Sequence, residues 1–174
     1  EQESKKCFTI ISQISNENSY VNVSVKGQRV KALMDSGNTF GAVISLDLCT
    51  RLGYSPGDLE PLESAVEVGT AQKDCNLKVL GRVPRPLDFT IGSYLVPFRI
   101  RPFVIDGLNM EMNLGREFMS ENSIDELHSE QMLKHKGNRI PMQNASSVPD
   151  IMVMAYIGKS TVVEPGETIE LPLT

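Results

Sequence analysis

The triplet Asp35-Ser36-Gly37 places a carboxylate, a hydroxyl and a glycine directly after the apolar run at residues 30–34. A carboxylate at the end of a buried strand needs a partner, because removing its charge from water is costly. Two carboxylates that share one proton around a water molecule can hydrolyse an amide: one is the general base for the water, and the other donates to the carbonyl oxygen. The chain carries this triplet once, so such a pair requires a second copy of the chain.

A second motif, Gly115-Arg116-Glu117, lies about 80 residues downstream and follows the apolar strand-like residues 112–114. Between the two motifs, residues 65–69 and 76–83 flank a polar tip at residues 70–74, which indicates a long β-hairpin. Asp-Ser-Gly alone is a common turn sequence. The apolar strand before it, the hairpin and the glycine-arginine motif set this triplet apart from an isolated turn.

This order of motifs, over roughly residues 8–125, resembles the retropepsin-like aspartic proteases of retroviruses and LTR retrotransposons of the Ty3/gypsy kind. In that family a D-[ST]-G triplet carries the catalytic aspartate. The resemblance implies that Asp35 is catalytic and that Ser36, Gly37 and Asn38 complete the active-site loop. Ser36 would hydrogen-bond across to the partner loop, and Gly37 would let the two loops approach closely.

The resemblance also implies a mobile flap and a supporting helix. The hairpin would close over substrate and exclude water, with contacts from Gly69, Thr70, Ala71 and Gln72. Gly115 and Arg116 would support the active site and the dimer.

Two departures from the family pattern stand beside the match. Asn38 replaces the usual alanine or other small residue, and we expect it to narrow a subsite or to hydrogen-bond to substrate. The segment 38–42 also looks about one residue longer than usual. Thr39 and Phe40 stand where the family has an acid that pairs with the arginine, so Arg116 is expected to bond to backbone carbonyls or to a more distant acid.

The elements around the motifs are short strands. Residues 7–14 are apolar, and residues 19–25 alternate with β-branched valines, so both predict strands. A turn at 26–28 leads into the strand that ends at Asp35. Residues 42–44 predict another buried strand, and Ser45 can cap a helix that ends at Gly53. Further strand signals lie at residues 89–91, 94–98, 101–105 and 112–115, with a short helix at 116–121.

These elements predict an all-β fold of the barrel or sandwich kind. The resemblance narrows this to a retropepsin-like acid protease barrel with one or two short helices and a flap hairpin, active as a homodimer. We expect residues 7–125 to form the protease domain. Residues 126–174 predict a β-rich C-terminal extension that contains a hairpin at 132–142, a polar linker and two further strands at 151–156 and 168–173.

Composition limits the partners. The net charge of −5 and the pI near 5.1 argue against nucleic acid as a partner of this domain, because phosphate binding needs a concentrated basic surface. No apolar run approaches the roughly 20 residues that span a bilayer, so no membrane partner is expected. Three cysteines and two histidines without metal-site spacing predict no metal, and the resemblance implies no cofactor. A reducing, cytoplasmic location is expected, including retrotransposon particles.

The sequence thus favours an aspartic endopeptidase that processes its own Gag-Pol-type polyprotein through a pair of Asp35 residues and an activated water. The alternative is a catalytically inactive, domesticated retropepsin-fold module that dimerises or binds peptides.

Overall fold

The computed structural model describes residues 6–10, 19–63, 66–70 and 76–143. Within these residues the fold is mostly β, as predicted. Ten strands form one curled sheet in the order β1-β5-β6-β9-β4-β10-β3-β2-β7-β8. Their bounds are Lys6–Ile10 (β1), Tyr20–Val25 (β2), Gln28–Asp35 (β3), Ala42–Ser45 (β4), Val66–Thr70 (β5), Asn76–Arg82 (β6), Leu87–Ile91 (β7), Tyr94–Ile100 (β8), Phe103–Asp106 (β9) and Met112–Gly115 (β10).

Two short α-helices accompany the sheet. The first, α1 (Leu46–Arg51), begins after Ser45, whose hydroxyl accepts a hydrogen bond from the Leu48 N–H at 3.1 Å. This is the predicted cap, and it satisfies one of the N–H groups left unpaired at a helix start. The second, α2 (Arg116–Glu121), follows β10 directly. Among the described residues, no helix is long and apolar enough to cross a membrane.

The predicted hairpin of β2 and β3 is confirmed. It turns at Lys26 and Gly27, which both have positive φ, at 47° and 74°. Two consecutive residues with positive φ give a turn whose twist matches that of the flanking strands. Along β2, valines at 21, 23 and 25 are buried while Asn22 and Ser24 are not, so the alternation in the sequence corresponds to a half-buried strand. This register delivers Asp35 at the far end of β3.

The position of β10 determines the geometry near Asp35. β10 pairs in parallel with β3, with Gly115 opposite Asp35, and antiparallel with β4 on its other side, with Leu114 opposite Ala42. The chain between β3 and β4 must therefore cross the C-terminal end of β10. The loop that carries the Asp-Ser-Gly triplet consequently lies directly against Gly115.

Among the described residues, the hydrophobic core has a main cluster, a smaller cluster around Phe40 and a third one formed by Tyr20, Leu33 and Met110. Met112 and Leu114 of β10 point into the main cluster, whereas Asn113 and Gly115, at alternate positions, face the other side of the sheet. The smaller cluster contains Phe40, Val43, Val68 and Ile105, so it joins the chain after the triplet to β4, β5 and β9. The Phe40 and Phe103 rings stack at a centroid distance of 4.3 Å beside it.

Beyond α2 the chain forms a second, three-stranded antiparallel sheet from β11 (Ile124–Leu127), β12 (Met132–His135) and β13 (Asn138–Pro141). The hairpin of β12 and β13 is the predicted one, whereas β11 was not predicted from the sequence. Leu133, Ile140 and Met142 lie in the main hydrophobic cluster. The division at residue 125 falls within β11 and stays a prediction, and the predicted strands at 151–156 and 168–173 lie outside the described residues.

His135 joins the small sheet to the large one. Its side chain is buried, and its Nδ1 lies 2.9 Å from the hydroxyl of Tyr94 on β8, with the Phe98 ring at a centroid distance of 5.0 Å. Burial, and secondarily the charge of Lys136, hold the pKa of His135 below its ordinary value of 6.5. The imidazole is therefore neutral in the folded protein at neutral pH.

This pKa shift predicts an acid-sensitive stability. As the pH falls, the unfolded chain takes up a proton on His135 before the folded protein does, so stability present above about pH 6.5 is lost as the pH drops toward the lower folded pKa. Denaturant titrations across this range should show that the free energy of unfolding of wild type falls as the pH is lowered. In His135→Gln this dependence on pH should be weaker. The same titrations on His128→Gln, which changes the exposed histidine beside Glu126, provide the comparison. Identical slopes for wild type and His135→Gln would contradict the prediction.

Candidate active site

Asp35 is the last residue of β3 and is buried, with 8% of its surface exposed. Its Oδ1 accepts a hydrogen bond from the Gly37 N–H at 3.0 Å, and its Oδ2 accepts one from the Asn113 side-chain amide at 2.9 Å. Charge-assisted bonds of this kind fix the plane of a carboxylate. The Asp35 carboxyl is thus nearly buried and fixed by two hydrogen bonds, unlike the side chain of a solvated turn residue.

Gly115 lies in close contact with the loop that carries the Asp-Ser-Gly triplet. Its N–H donates to the Gly41 carbonyl at 3.1 Å, and a Cβ at this position would lie 2.6 Å from the Asn38 carbonyl oxygen and 2.7 Å from that of Gly41. Both neighbours are backbone atoms of the loop that crosses the end of β10. Only a glycine lets this loop pass so closely, which explains the glycine of the Gly-Arg motif.

Arg116 holds the same loop from the start of α2. Its backbone N–H donates to the Asn38 carbonyl at 3.0 Å, and its Nε donates to the Ser36 carbonyl at 3.0 Å. Of the two alternatives for this arginine, bonding to a carbonyl is therefore the observed one. The contact ties α2 to the triplet, and a role of Arg116 in a dimer stays a prediction.

Asn38 has a different environment from the one expected. Its side chain is fully buried: Nδ2 donates to the Gly41 carbonyl at 2.8 Å and to Asn113 Oδ1 at 2.7 Å, while Oδ1 accepts from the Phe40 N–H at 2.7 Å. All of its polar atoms are used within the chain. The expected hydrogen bond from Asn38 to substrate is therefore not supported by its position.

Asn113 is the residue of the site that the sequence did not reveal. It is fully buried on β10 and donates to Asp35, accepts from Asn38 and lies 3.6 Å from Met110 Sδ. In the sequence Glu111 and Asn113 alternate with Met110, Met112 and Leu114, a pattern typical of a half-buried strand with the amide on its polar face. Its burial depends on partners that lie 75 and 78 positions away in the chain.

The two strands of the hairpin predicted to be the flap, β5 and β6, pair antiparallel, and the role of this hairpin as a flap stays a prediction. Gly69 and Thr70 end β5, and Gly69 lies opposite Asn76 in the register. Ala71 and Gln72 lie outside the described residues. Substrate contacts by these four residues stay predictions. On the same strand Val68 is buried in the smaller cluster with Phe40, so the base of this hairpin packs against the chain that follows the triplet.

Comparisons with known proteins bear on the fold. No family model matches the chain. The DNA damage-inducible protein 1 of Neurospora crassa is 29% identical over 150 residues, which is 86% of this chain and 32% of that protein, so the chain spans about a third of its length. The retroviral protease-like domain of Ddi1 from Leishmania major superposes with a TM-score of 0.57 at 17% identity, covering 75% of this chain and 98% of that domain.

A retropepsin-like aspartic protease from Rickettsia conorii is also similar, with a TM-score of 0.42 and 15% identity over 62% of this chain and 75% of the other. The similarity to the Leishmania domain establishes the architecture: the chain has a retropepsin-like fold, with a curled half-barrel sheet and few short helices. This confirms the fold class predicted from the sequence.

Proposed function

We propose that the chain is an aspartic endopeptidase that acts as a homodimer. The observation that carries this proposal is the state of Asp35: a nearly buried carboxylate, held by two N–H donors, in a loop supported by β10 and α2 on a retropepsin-like fold. One such carboxylate per chain supplies half of an acid–base pair. A second subunit related by twofold symmetry supplies the other half through an identical loop.

In the proposed reaction the two Asp35 carboxyls share one proton around a water molecule. The ionised carboxylate removes a proton from the water as it attacks the scissile carbonyl carbon, and the protonated carboxyl donates to the carbonyl oxygen. The resulting tetrahedral intermediate collapses when the leaving nitrogen is protonated and the C–N bond breaks. Ser36 bonds across to the partner loop, and Gly37 lets the two loops approach. The chemistry uses neither a metal nor a cofactor.

Substrate binds in an extended conformation by pairing with strand edges, and the flap residues Gly69, Thr70, Ala71 and Gln72 cover it. The proposed substrate is the polyprotein that contains the chain. The match to a DNA damage-inducible protein favours a second candidate, an enzyme that acts on other cellular proteins. Expression of the natural reading frame with and without Asp35→Asn distinguishes them: self-processing appears as precursor bands that accumulate only in the variant.

Activity should depend on assembly. Because one chain supplies one Asp35, cleavage of a peptide should rise faster than linearly with protein concentration until the dimer saturates. Initial rates measured beside sedimentation analysis over the same concentrations test this. Linear activity from a protein that sediments as a monomer would exclude the proposed pair. A dimer that binds peptide without cleaving it would instead support the inactive, domesticated module.

A further inference from the structure

Asp35 lies at one end of a buried line of hydrogen bonds. The line starts at the Phe40 N–H, which donates to Asn38 Oδ1; Asn38 Nδ2 donates to Asn113 Oδ1; and Asn113 Nδ2 donates to Asp35 Oδ2. The three distances are 2.7, 2.7 and 2.9 Å. The two side-chain amides thus connect the backbone on the far side of the loop to the carboxylate.

The chemistry of the two ends sets the direction of every bond in this line. A backbone N–H can only donate, and an ionised carboxylate can only accept. The Asn38 oxygen must therefore face Phe40, and the Asn113 nitrogen must face Asp35. A reversed amide at either position would place donor against donor or acceptor against acceptor. The line consequently has a single arrangement when Asp35 is ionised.

Neither amide has a free group to offer a substrate. Asn38 and Asn113 are both fully buried, the second hydrogen of Asn38 Nδ2 goes to the Gly41 carbonyl, and Asn113 Nδ2 also lies near Met110 Sδ. Buried amides are costly unless they are bonded, and this pair is bonded to the loop, to each other and to Asp35. Their position indicates action on Asp35 rather than on a ligand.

We infer that Asn113 is a positioning residue for Asp35 and that Asn38 acts through it, an inference that rests on the proposed function. Asn113 Nδ2 fixes one oxygen of the carboxylate, while the Gly37 N–H fixes the other. The carboxyl plane is then set by β10, which is a rigid strand inside the sheet, and not only by the loop that carries Asp35. Without the Asn113 amide, the Asp35 carboxylate can rotate out of the plane in which it shares a proton with the partner's Asp35.

The test compares four variants with wild type on a peptide that wild type cleaves, selected from a random peptide library, at concentrations where the dimer is saturated. Asn113→Leu should lower kcat about 10- to 100-fold, the loss expected for one hydrogen bond to a charged group, and leave KM within about threefold because Asn113 is buried. Asn38→Ala should lower kcat less. The double variant should fall by less than the product of the two single effects, because both act along one line.

The matched control is Asn22→Ala. Asn22 also donates a side-chain hydrogen bond, to Gln143 Oε1 at 3.1 Å, but on β2 away from Asp35. It should keep the wild-type kcat. Unfolding and sedimentation measured on every variant identify losses of fold or dimer. A folded, dimeric Asn113→Leu with the wild-type kcat, or independent effects in the double variant, would overturn the inference.

A readout without turnover separates this inference from the proposed function. In a ¹⁵N–¹H spectrum the Asn113 side-chain amide, assigned by its absence in Asn113→Leu, should exchange slowly with solvent and should shift in Asp35→Asn. The exposed Asn109 amide provides the reference for fast exchange. If the wild-type protein cleaved no peptide, the proposed function would be overturned. The spectrum would still test whether Asn113 holds Asp35. The inference would be refuted if the Asn113 amide exchanged with solvent as fast as the Asn109 amide, or if its chemical shift were the same in wild type and Asp35→Asn.

Discussion

Replacing Asp35 with asparagine should lower kcat/KM for peptide cleavage by about 10³- to 10⁴-fold, because the amide can serve neither as general base nor as the shared-proton donor. The fold should persist with reduced stability. Both carboxylate oxygens accept N–H donors, from Gly37 and Asn113, so the new NH₂ group must face one of them. That mismatch costs about 1–3 kcal/mol, less than the stability of an ordinary domain.

The matched control is Asp106→Asn. Asp106 is also an aspartate at the end of a strand and before a glycine, but it is exposed and lacks an intervening serine. This variant should cleave like wild type. Cleavage of the same peptide by wild type, Asp35→Asn and Asp106→Asn, each at a concentration where the dimer is saturated, is the measurement that checks this. Substantial cleavage by a folded Asp35→Asn variant would place the chemistry elsewhere.

Gly115→Ala should strongly destabilise the protein and impair the candidate site. The new Cβ would lie 2.6 and 2.7 Å from two backbone carbonyl oxygens of the loop, distances that require the loop to move. We expect a loss of about 3 kcal/mol in unfolding free energy, the upper part of the usual range for overpacking. Cleavage should fall about 100-fold, because an ångström of misplacement at the reacting groups has that effect.

Gly57→Ala is the control for this change. A Cβ at Gly57 would have Ser55 Oγ as its near neighbour, at 3.8 Å, which is an ordinary contact. Its unfolding midpoint and its kcat/KM should match wild type. If Gly115→Ala unfolds at the wild-type denaturant concentration and cleaves normally, the close passage of the loop over β10 does not constrain the site.

The sequence predicted the parts of this fold that are encoded locally. The valine alternation of β2, the Lys26-Gly27 turn, the Ser45 cap and the strand ending at Asp35 each depend on neighbours a few residues away. Such features are predictable because period and turn chemistry express themselves over short segments.

The remainder depends on pairings between distant segments. β11 has the sequence Ile-Asp-Glu-Leu, in which two acids obscure the alternation, and its strand state comes from pairing with β12. The hydrogen bonds of Asn38 could not be predicted for the same reason, because its partner Asn113 is 75 residues away. The residue type alone does not show whether an asparagine amide faces a ligand or another amide. That is decided only when the sheet brings the distant segments together.

The place of β10 between β3 and β4 also has a consequence for when the site comes into being. The triplet is synthesised before the strand that shapes its loop, and the amide that donates to Asp35 follows it 78 residues later. Closing a segment of that length is entropically costly, and in the folded sheet β3 and β4 are joined through β10 rather than paired with each other. A nascent chain that stops before residue 112 therefore carries Asp35 without its partner amide and without the strand against which its loop lies, so the geometry of the candidate site forms only after β10 has left the ribosome.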